Sequence, residues 1–258
     1  MKTPLRKRTV GQGKDIVLLH GWGVNSGVWQ AISEPLQKHF RVTYIDLPGC
    51  GLNAQCLPEN YDLASVADLV SQCLPTPCIL LGWSLGGLVA QEIALARPEG
   101  IEQLVLVASS PKFSAAADWP GIDVKTLSFF QLQLAHDFSK TLDRFLAIQA
   151  MGSATAKTDI KQIKHSIGQL PSPSLPALKA GLAILADTDH RSKLASLKVR
   201  THWMFGRRDS LVPAGLAERL PLLQPGARAT VFDHASHAPF ISHPQTFINQ
   251  LFTLLTNT

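Results

Sequence analysis

Short, largely apolar runs alternate with helical patterns along the first 110 residues, and this alternation limits the folds that are open to the chain. Each run is followed within a few residues by Gly or Pro, as expected for a strand that ends in a turn. The apolar runs are residues 16–19, 41–45, 78–81 and 104–108, and the helical patterns are residues 29–39, 63–73 and 85–96. Apolar runs of this kind are typical of parallel strands covered on both faces. The first part of the chain therefore predicts an α/β, doubly wound and mostly parallel sheet.

The pattern changes after Pro111, because no convincing strand occurs between residues 113 and 189. The predicted elements from there on are helices 127–135, 138–149 and 155–170, then strand 201–205, helix 214–223, strand 229–232 and helix 244–255. We therefore predict an α/β core of residues 1–112 and 190–258, with a helical lid inserted in it. The inserted segment, residues 113–189, is called the insertion below.

The composition favours a globular protein and excludes several functional classes. With 258 residues, 45% of them hydrophobic, the chain is long enough to bury one large core. The formal net charge of +5 is too small and too scattered to indicate nucleic-acid binding. We find no signal peptide and no membrane-spanning segment, and expect a soluble cytoplasmic protein. The four cysteines, Cys50, Cys56, Cys73 and Cys78, match no zinc spacing and are expected to be reduced thiols.

A Gly-x-Ser-x-Gly motif lies at residues 82–86, between an apolar run and a helical pattern. A strand, a tight turn and a helix in this order form a nucleophile elbow, which lifts the serine above the edge of the sheet. The first and last glycines are required because strand and helix pass too close for side chains. The motif predicts Ser84 as a nucleophile.

The glycine-flanked loop after the first apolar run, His20-Gly21-Trp22-Gly23, predicts half of an oxyanion hole. Two backbone N–H groups hold the charged oxygen of a tetrahedral intermediate in such sites. The expected donors are Trp22 and, directly after the nucleophile, Leu85. We expect His20 to organise the loop rather than to take part in the chemistry.

An acid and a base follow the last two predicted strands. Asp209 follows strand 201–205 and His237 follows strand 229–232, so the order along the chain is Ser84, Asp209, His237. Serine, then acid, then histidine is the order of the α/β-hydrolase fold, which we predict here. His237 would act as general base, oriented by Asp209.

Other residues compete for these roles. His234 and His243 flank His237, and Asp233 is a second candidate acid. Asp46, which follows an earlier strand in Asp-Leu-Pro-Gly, is expected to fix a turn. A haloalkane-dehalogenase mechanism is not expected, because its nucleophilic Asp stands where this chain has Ser84.

Three segments together resemble a known family. The residues are 82–90, from Gly82 to Ala90, 108–111 with 119–122, and His-Ala-Pro-Phe-Ile-Ser-His-Pro at 237–244. They are similar to the pimeloyl-acyl-carrier-protein methyl ester carboxylesterases of biotin synthesis, and the likeness covers essentially the whole chain. The resemblance implies hydrolysis of a methyl ester on a carrier-bound pimeloyl chain, with no metal or organic cofactor. Separately, we expect a monomer.

The resemblance also implies substrate contacts. They are Trp22, Ser84, Leu85, Phe145, Leu146, Ala147, Ile148, Gln149 and His237.

Basic residues recur with helical spacing in the insertion. Lys140 and Arg144 are four residues apart, as are Lys157 and Lys161, so each pair shares one face of a helix. On charge alone, a solvated helix face explains them as well as a binding surface. The resemblance places carrier-contacting basic residues at these four positions, and an acidic carrier protein is the expected partner.

Two other functions remain open from the sequence. The same three catalytic residues also suit a broad-specificity esterase, a thioesterase or a C–C bond hydrolase. A binding protein that has lost turnover is a third reading, and the intact Ser84, Asp209 and His237 argue against it.

Overall fold

A computed structural model describes residues 4–256, and a single sheet organises them. The strands in chain order are β1 (Lys7–Val10), β2 (Lys14–Leu19), β3 (Phe40–Ile45), β4 (Cys78–Trp83), β5 (Ile101–Val107), β6 (Arg200–Gly206) and β7 (Arg228–Phe232). Within the described residues the sheet has seven strands in the order β1-β3-β2-β4-β5-β6-β7. Of the described strands, only β1 is antiparallel to its neighbour, β3. The mostly parallel α/β sheet predicted from the sequence is confirmed.

Both faces of the sheet are covered by apolar clusters, which explains the apolar runs. Along β2 the residues alternate between two buried clusters, with Val17 and Leu19 in one and Ile16 and Leu18 in the other. Successive side chains of a strand point to opposite faces, so both faces must be packed for all four to be buried.

Helices cover the sheet and fill the interval between β5 and β6. In chain order they are α1 (Gln30–Gln37), α2 (Leu63–Ser71), α3 (Leu85–Ala96), α4 (Val124–His136), α5 (Phe138–Ala150), α6 (Ala156–Ile167), α7 (Leu175–Asp187), α8 (Leu216–Leu223), α9 (Pro239–Ser242) and α10 (Pro244–Thr256). Among these described residues, no helix is both long and apolar enough to cross a bilayer.

Helix α7 was not predicted, because prolines at 171, 173 and 176 suggested a broken segment. In the structure Ser174 caps the helix by accepting a hydrogen bond from the Ala177 N–H. Pro176 lies in the first turn, where a residue without an N–H loses no intrahelical hydrogen bond. The prolines therefore precede and start this helix rather than interrupt it.

The insertion contains α4 to α7, and the residues that flank its two ends meet each other. The Pro111 carbonyl accepts a hydrogen bond of 2.8 Å from the His190 N–H. Beside it, Lys112 Nζ lies 3.4 Å from Asp189 Oδ2. The division into core (1–112 and 190–258) and lid (113–189) stays a prediction.

Candidate active site

The turn between β4 and α3 holds Ser84 in a strained backbone conformation. Its φ is 54° and its ψ is −118°, outside the regions that side chains favour. A Cβ added to Gly86 would lie 2.4 Å from the Leu19 carbonyl oxygen, and one on Gly82 would lie 2.4 Å from the Gly86 oxygen. Only glycine fits at both positions, which is the physical reason for the spacing of the motif.

The neighbouring strand β5 supports this strained turn. The Ser84 N–H donates to the Val107 carbonyl at 3.0 Å. The Ser109 hydroxyl donates to the Ser84 carbonyl at 2.9 Å, and Ser109 is fully buried. Ser109 was not among the predicted functional residues. Its supporting role could have been inferred from its position, because it is a small polar residue just after the strand next to the elbow.

Asp209 and His237 form a buried pair at the same edge of the sheet, just after β6 and β7. The distance from His237 Nδ1 to Asp209 Oδ2 is 2.7 Å. The other carboxylate oxygen accepts two backbone N–H groups, from Leu211 at 2.8 Å and Val212 at 3.0 Å. These donors stabilise a charged, fixed carboxylate. An ionised Asp209 only accepts hydrogen bonds, so the proton of the pair lies on His237 Nδ1.

The imidazole of His237 lies against the elbow. Its ring centroid is 5.7 Å from the ring of Trp83, the residue before Ser84. The Trp83 indole N–H also donates to the His237 carbonyl at 2.8 Å. In the part of the chain that is described, His237 Nε2 has no hydrogen-bond partner. Its lone pair is therefore available as a base beside the serine turn.

The competing residues are engaged elsewhere. Asp233 is exposed and accepts a 2.6 Å hydrogen bond from Arg207. His234 is also exposed, and His243 Nδ1 lies 2.8 Å from the Ser242 hydroxyl. Among the described residues, none of these three forms a hydrogen bond or an ion pair with Asp209.

Asp46 is buried and fixes backbone. Its carboxylate accepts from the Leu52 N–H at 2.9 Å and the Ser26 N–H at 2.6 Å. These contacts agree with the turn-forming role expected for this residue.

His20 fixes the loop that carries Trp22. Its Nε2 accepts from the Leu47 N–H at 3.0 Å, so the proton lies on Nδ1, which donates to the Gly21 carbonyl at 2.8 Å. Burial lowers the pKa of His20, which keeps the ring neutral. In a trans peptide the carbonyl and the next N–H point in opposite directions. With the Gly21 oxygen held by His20, the Trp22 N–H points away from His20.

This loop passes directly over the serine turn. A Cβ on Gly21 would lie 3.2 Å from the Ser84 Cβ. Leu85 is the first residue of α3, so its N–H has no intrahelical acceptor. The loop that carries Trp22 and the N–H of Leu85, the two predicted parts of the oxyanion hole, therefore both lie next to Ser84.

The insertion packs onto this loop with apolar side chains. The Trp22 ring lies 4.5 Å from the Phe145 ring, and its N–H donates to the Leu178 carbonyl at 2.9 Å. A Cβ on Gly181 would lie 2.7 Å from Trp22 and 3.3 Å from Leu85. Helices α5 and α7 therefore cover the loop that carries Trp22.

The predicted substrate contacts on α5 differ in their surroundings. Phe145 and Leu146 are buried, Ile148 is half-buried, and Ala147 is exposed on the outer face. Gln149 is fully buried, and neither its side-chain oxygen nor its nitrogen has a hydrogen-bond partner among the described residues. The site thus contains an apolar wall with one unpaired amide, and Ala147 lies outside it.

The four predicted docking residues are exposed on α5 and α6. Lys140 forms an ion pair with Asp137 at 3.1 Å. Within residues 4–256, Arg144, Lys157 and Lys161 form no ion pair with a carboxylate. We call Lys140, Arg144, Lys157 and Lys161 the basic face.

A salt bridge aligns the two helices of the basic face. Lys164 Nζ on α6 lies 2.7 Å from Asp143 Oδ1 on α5. Asp143 precedes Arg144, and Lys164 follows Lys161 by one helical turn. This bridge therefore brings the outer faces of the two helices side by side.

Comparisons with known proteins identify the family of the chain. The model of the alpha/beta hydrolase family matches residues 16–250. The chain is 54% identical to a pimeloyl-(acyl-carrier protein) methyl ester esterase of Pseudoalteromonas atlantica, over 100% of this chain and 99% of that protein. It is 47% identical to the protein of the same name in Vibrio campbellii, over 97% and 98% of the two chains.

The solved structures that resemble the chain show the same fold. An esterase from Exiguobacterium antarcticum superposes with a TM-score of 0.87 at 23% identity, covering 98% of this chain and 96% of that one. A bromoperoxidase from Bacillus anthracis gives a TM-score of 0.86 at 22% identity, with 97% and 95% covered. The chain belongs to the alpha/beta hydrolase family, in the group formed by the pimeloyl-(acyl-carrier protein) methyl ester esterases.

Proposed function

We propose that the protein hydrolyses the methyl ester of pimeloyl-acyl-carrier protein in biotin synthesis, with Ser84, His237 and Asp209 as its catalytic triad. The observation that supports the triad is the buried Asp209–His237 pair, in which Nε2 has no partner among the described residues and the ring packs against Trp83, the residue before Ser84. The substrate follows from the relatives, which are named for this ester and match the chain over its full length.

The first half of the reaction forms an acyl-enzyme. His237 Nε2 takes the Ser84 proton while Oγ bonds to the ester carbonyl carbon, whose oxygen becomes negatively charged. The N–H groups of Trp22 and Leu85 hold that oxygen. The C–O bond to the methoxy group then breaks, and His237 gives its proton to the departing oxygen to release methanol.

The second half repeats these steps with water. His237 takes a proton from water as the hydroxide bonds to the acyl carbon, and the same two N–H groups hold the second oxyanion. The bond to Ser84 Oγ breaks and the serine recovers its proton. The products are pimeloyl-acyl-carrier protein, with a free distal carboxylate, and methanol.

The environment of the site suits an acyl ester. Trp22 and Phe145 offer an apolar surface for the methylene chain. The unpaired amide of Gln149 offers a hydrogen-bonding group to a polar end of the substrate, since a buried amide without a partner is costly. A reaction of this kind requires no metal or organic cofactor.

The carrier protein would dock on the basic face. Acyl carrier proteins are acidic and carry a phosphate in their prosthetic group, and positive charges complement both. Arg144, Lys157 and Lys161 are available to such a partner, because none of them forms an ion pair within the described residues. The proposal includes a cytoplasmic monomer whose reaction involves neither nucleic acid nor membrane.

Direct turnover tests the proposal. The purified protein is incubated with methyl pimeloyl-acyl-carrier protein, a p-nitrophenyl ester and an acyl thioester, and the products are resolved by mass spectrometry. We expect demethylation of the carrier-linked ester at the highest kcat/KM, abolished in Ser84→Ala. Preference for the thioester, or for the free ester, would instead assign a thioesterase or a broad esterase.

Growth of a biotin-requiring strain tests the pathway. The wild-type gene is expected to restore growth without biotin in a strain that lacks its own methyl ester esterase. Ser84→Ala is expected not to restore it. Equal rescue by both would contradict the proposed function.

A further inference from the structure

The C-terminal turn of α5 is hydrogen-bonded to both loops that carry the predicted acid and base. The last carbonyl groups of a helix have no intrahelical donor and need partners from elsewhere. Here the acceptors are the carbonyl of Gln149 in the last turn and those of Met151 and Gly152 directly after the helix, and the donors lie beside or within the catalytic pair. The bonds are His237 N–H to Gln149 O at 3.2 Å, Ser236 hydroxyl to Met151 O at 2.7 Å, and Arg208 Nη1 to Gly152 O at 3.1 Å.

Close packing accompanies these bonds. Gly152 has a φ of 89°, and a Cβ on it would lie 3.0 Å from the Arg208 carbonyl oxygen. The two catalytic loops are also tied to each other, since the Arg208 N–H donates to the Ala235 carbonyl at 3.0 Å. A Cβ on Gly206 would lie only 2.0 Å from the Ser236 oxygen. The turn of α5 and the two loops therefore form one packed unit.

The backbone of His237 is held from two sides. Its carbonyl accepts from Trp83, which belongs to the elbow, and its N–H donates to Gln149, which belongs to the insertion. The first contact fixes the histidine relative to Ser84. The second depends on the seating of α5, so a displaced turn would release one side of the histidine.

We propose that Arg208 and Ser236 are positioning residues, which seat the α5 turn and thereby hold His237 and Asp209 in the geometry for proton transfer. This inference rests on the proposed catalytic triad. Neither side chain is placed among the substrate contacts, so their effect falls on kcat rather than on KM. Helix α5 also carries Lys140 and Arg144, so the same element joins the basic face to the catalytic base.

Adjacent residues provide matched controls. Arg207 and Arg208 are both exposed, but Arg207 donates to Asp233 and makes no bond to the insertion. Ser242 is in the segment that follows His237, and its hydroxyl donates to the Ala238 carbonyl at 3.4 Å. Arg208→Ala is therefore compared with Arg207→Ala, and Ser236→Ala with Ser242→Ala.

The kinetic readout is hydrolysis of p-nitrophenyl butyrate, which does not involve a carrier. We expect kcat to fall about three- to tenfold in Arg208→Ala and in Ser236→Ala, since each loses one hydrogen bond, with KM unchanged. Arg208→Lys, which retains a donor, is expected to recover part of the loss. The two controls are expected to stay within about twofold of wild type.

Hydrogen exchange separates positioning from general destabilisation. The His237 amide is expected to exchange faster in Arg208→Ala, while amides of β4 and β5 keep their wild-type protection. Wild-type kcat in both Arg208→Ala and Ser236→Ala would overturn the inference. So would equal losses in the control variants, or an unchanged rate of exchange at His237.

The variants distinguish a wrong positioning role for Arg208 and Ser236 from a wrong catalytic triad. If Ser84→Ala is inactive while Arg208→Ala and Ser236→Ala keep full kcat, the triad stands and the positioning role is wrong. If Ser84→Ala retains turnover, the triad itself is wrong.

Discussion

Nδ1 of His237 donates to Oδ2 of Asp209 across 2.7 Å, and both side chains are fully shielded from solvent. Because the carboxylate accepts a hydrogen bond from Nδ1–H, the proton of the neutral ring stays on Nδ1 and a lone pair is left at Nε2. Solvent exclusion strengthens the attraction between the carboxylate and an imidazolium formed during turnover. The pair is thus arranged to select a tautomer and to stabilise charge as it forms.

Removing the charge of Asp209 tests this arrangement. Asp209→Asn is expected to lower kcat on a p-nitrophenyl ester by a factor on the order of 10⁴, because the amide favours the wrong tautomer. Asp233→Asn is the control, since Asp233 is exposed and pairs only with Arg207 among the described residues. A near wild-type rate in Asp209→Asn would remove Asp209 from the mechanism.

Removing the Ser84 hydroxyl is expected to lower kcat more than removing the charge of Asp209 does. Ser84→Ala is expected to lower kcat by about four to six decades, since no other group then forms the acyl-enzyme. A fluorophosphonate probe is expected to label the wild type at Ser84 and to leave the variant unlabelled. Labelling of Ser84→Ala at another serine would identify a different nucleophile.

Replacement by alanine is expected to destabilise the protein at Gly86, which is crowded at the elbow, but not at Gly215, which is open. In Gly86→Ala the new methyl group would lie 2.4 Å from the Leu19 oxygen, so we expect a loss of about 2 kcal/mol or more in unfolding free energy. In Gly215→Ala nothing lies within 4 Å of the new Cβ, and we expect a change within about 0.5 kcal/mol. Urea unfolding of both variants measures the difference, and equal stabilities would show that the elbow can relax.

Charge reversal on the basic face tests carrier docking. Arg144→Glu with Lys161→Glu is expected to raise KM for the carrier-linked ester about tenfold and to leave p-nitrophenyl ester hydrolysis unchanged. Lys198→Glu makes the same type of change just before β6, at the opposite edge of the sheet from Asp209. Equal losses on the two substrates would argue against docking at this face.

His202 predicts a pH dependence of stability. Burial, together with the charges of Arg228 and Arg200, lowers its pKa from 6.5 to about 4. Below pH 6.5 the unfolded chain binds a proton at this residue that the folded chain does not bind until about pH 4, so stability falls across that window. The contribution is on the order of 2 kcal/mol.

His202→Gln removes this titration and is expected to flatten the stability profile between pH 6.5 and 4. The measurement is the free energy of unfolding in urea at several pH values. His136→Gln, at an exposed position, is the control. Profiles of the same slope in both variants would show that His202 does not titrate as described.

The parallel strands and most helices were predictable because apolar periodicity reports burial directly. Helix α3 begins and ends where its pattern predicts, at Leu85 and Ala96. Strand β1 was missed because all four of its residues are exposed, with two of them charged, as suits an edge strand. Its position is set by pairing with β3, a long-range contact that local pattern does not reveal.

The predicted triad residues were found from their places after strands, since parallel strands bring their carboxyl ends to one edge. The contacts that hold these residues in place could not be predicted from the sequence. Ser109 supports Ser84, and Trp83 supports His237, through bonds between segments far apart in the chain. Three histidines, His234, His237 and His243, follow β7. The conformation of the loop after β7 determines which of them pairs with Asp209, and sequence spacing alone does not predict that conformation.

The insertion leaves and rejoins the sheet at a single point, where the Pro111 carbonyl meets the His190 N–H and Lys112 meets Asp189. A segment with adjoining ends can change its length or its helices while the strands on either side keep their places. Evolution can thus replace the insertion as a unit. The sheet is then retained, while the molecules that reach the candidate active site change. The same junction gives protein engineers two natural splice points for grafting the segment of one hydrolase onto another.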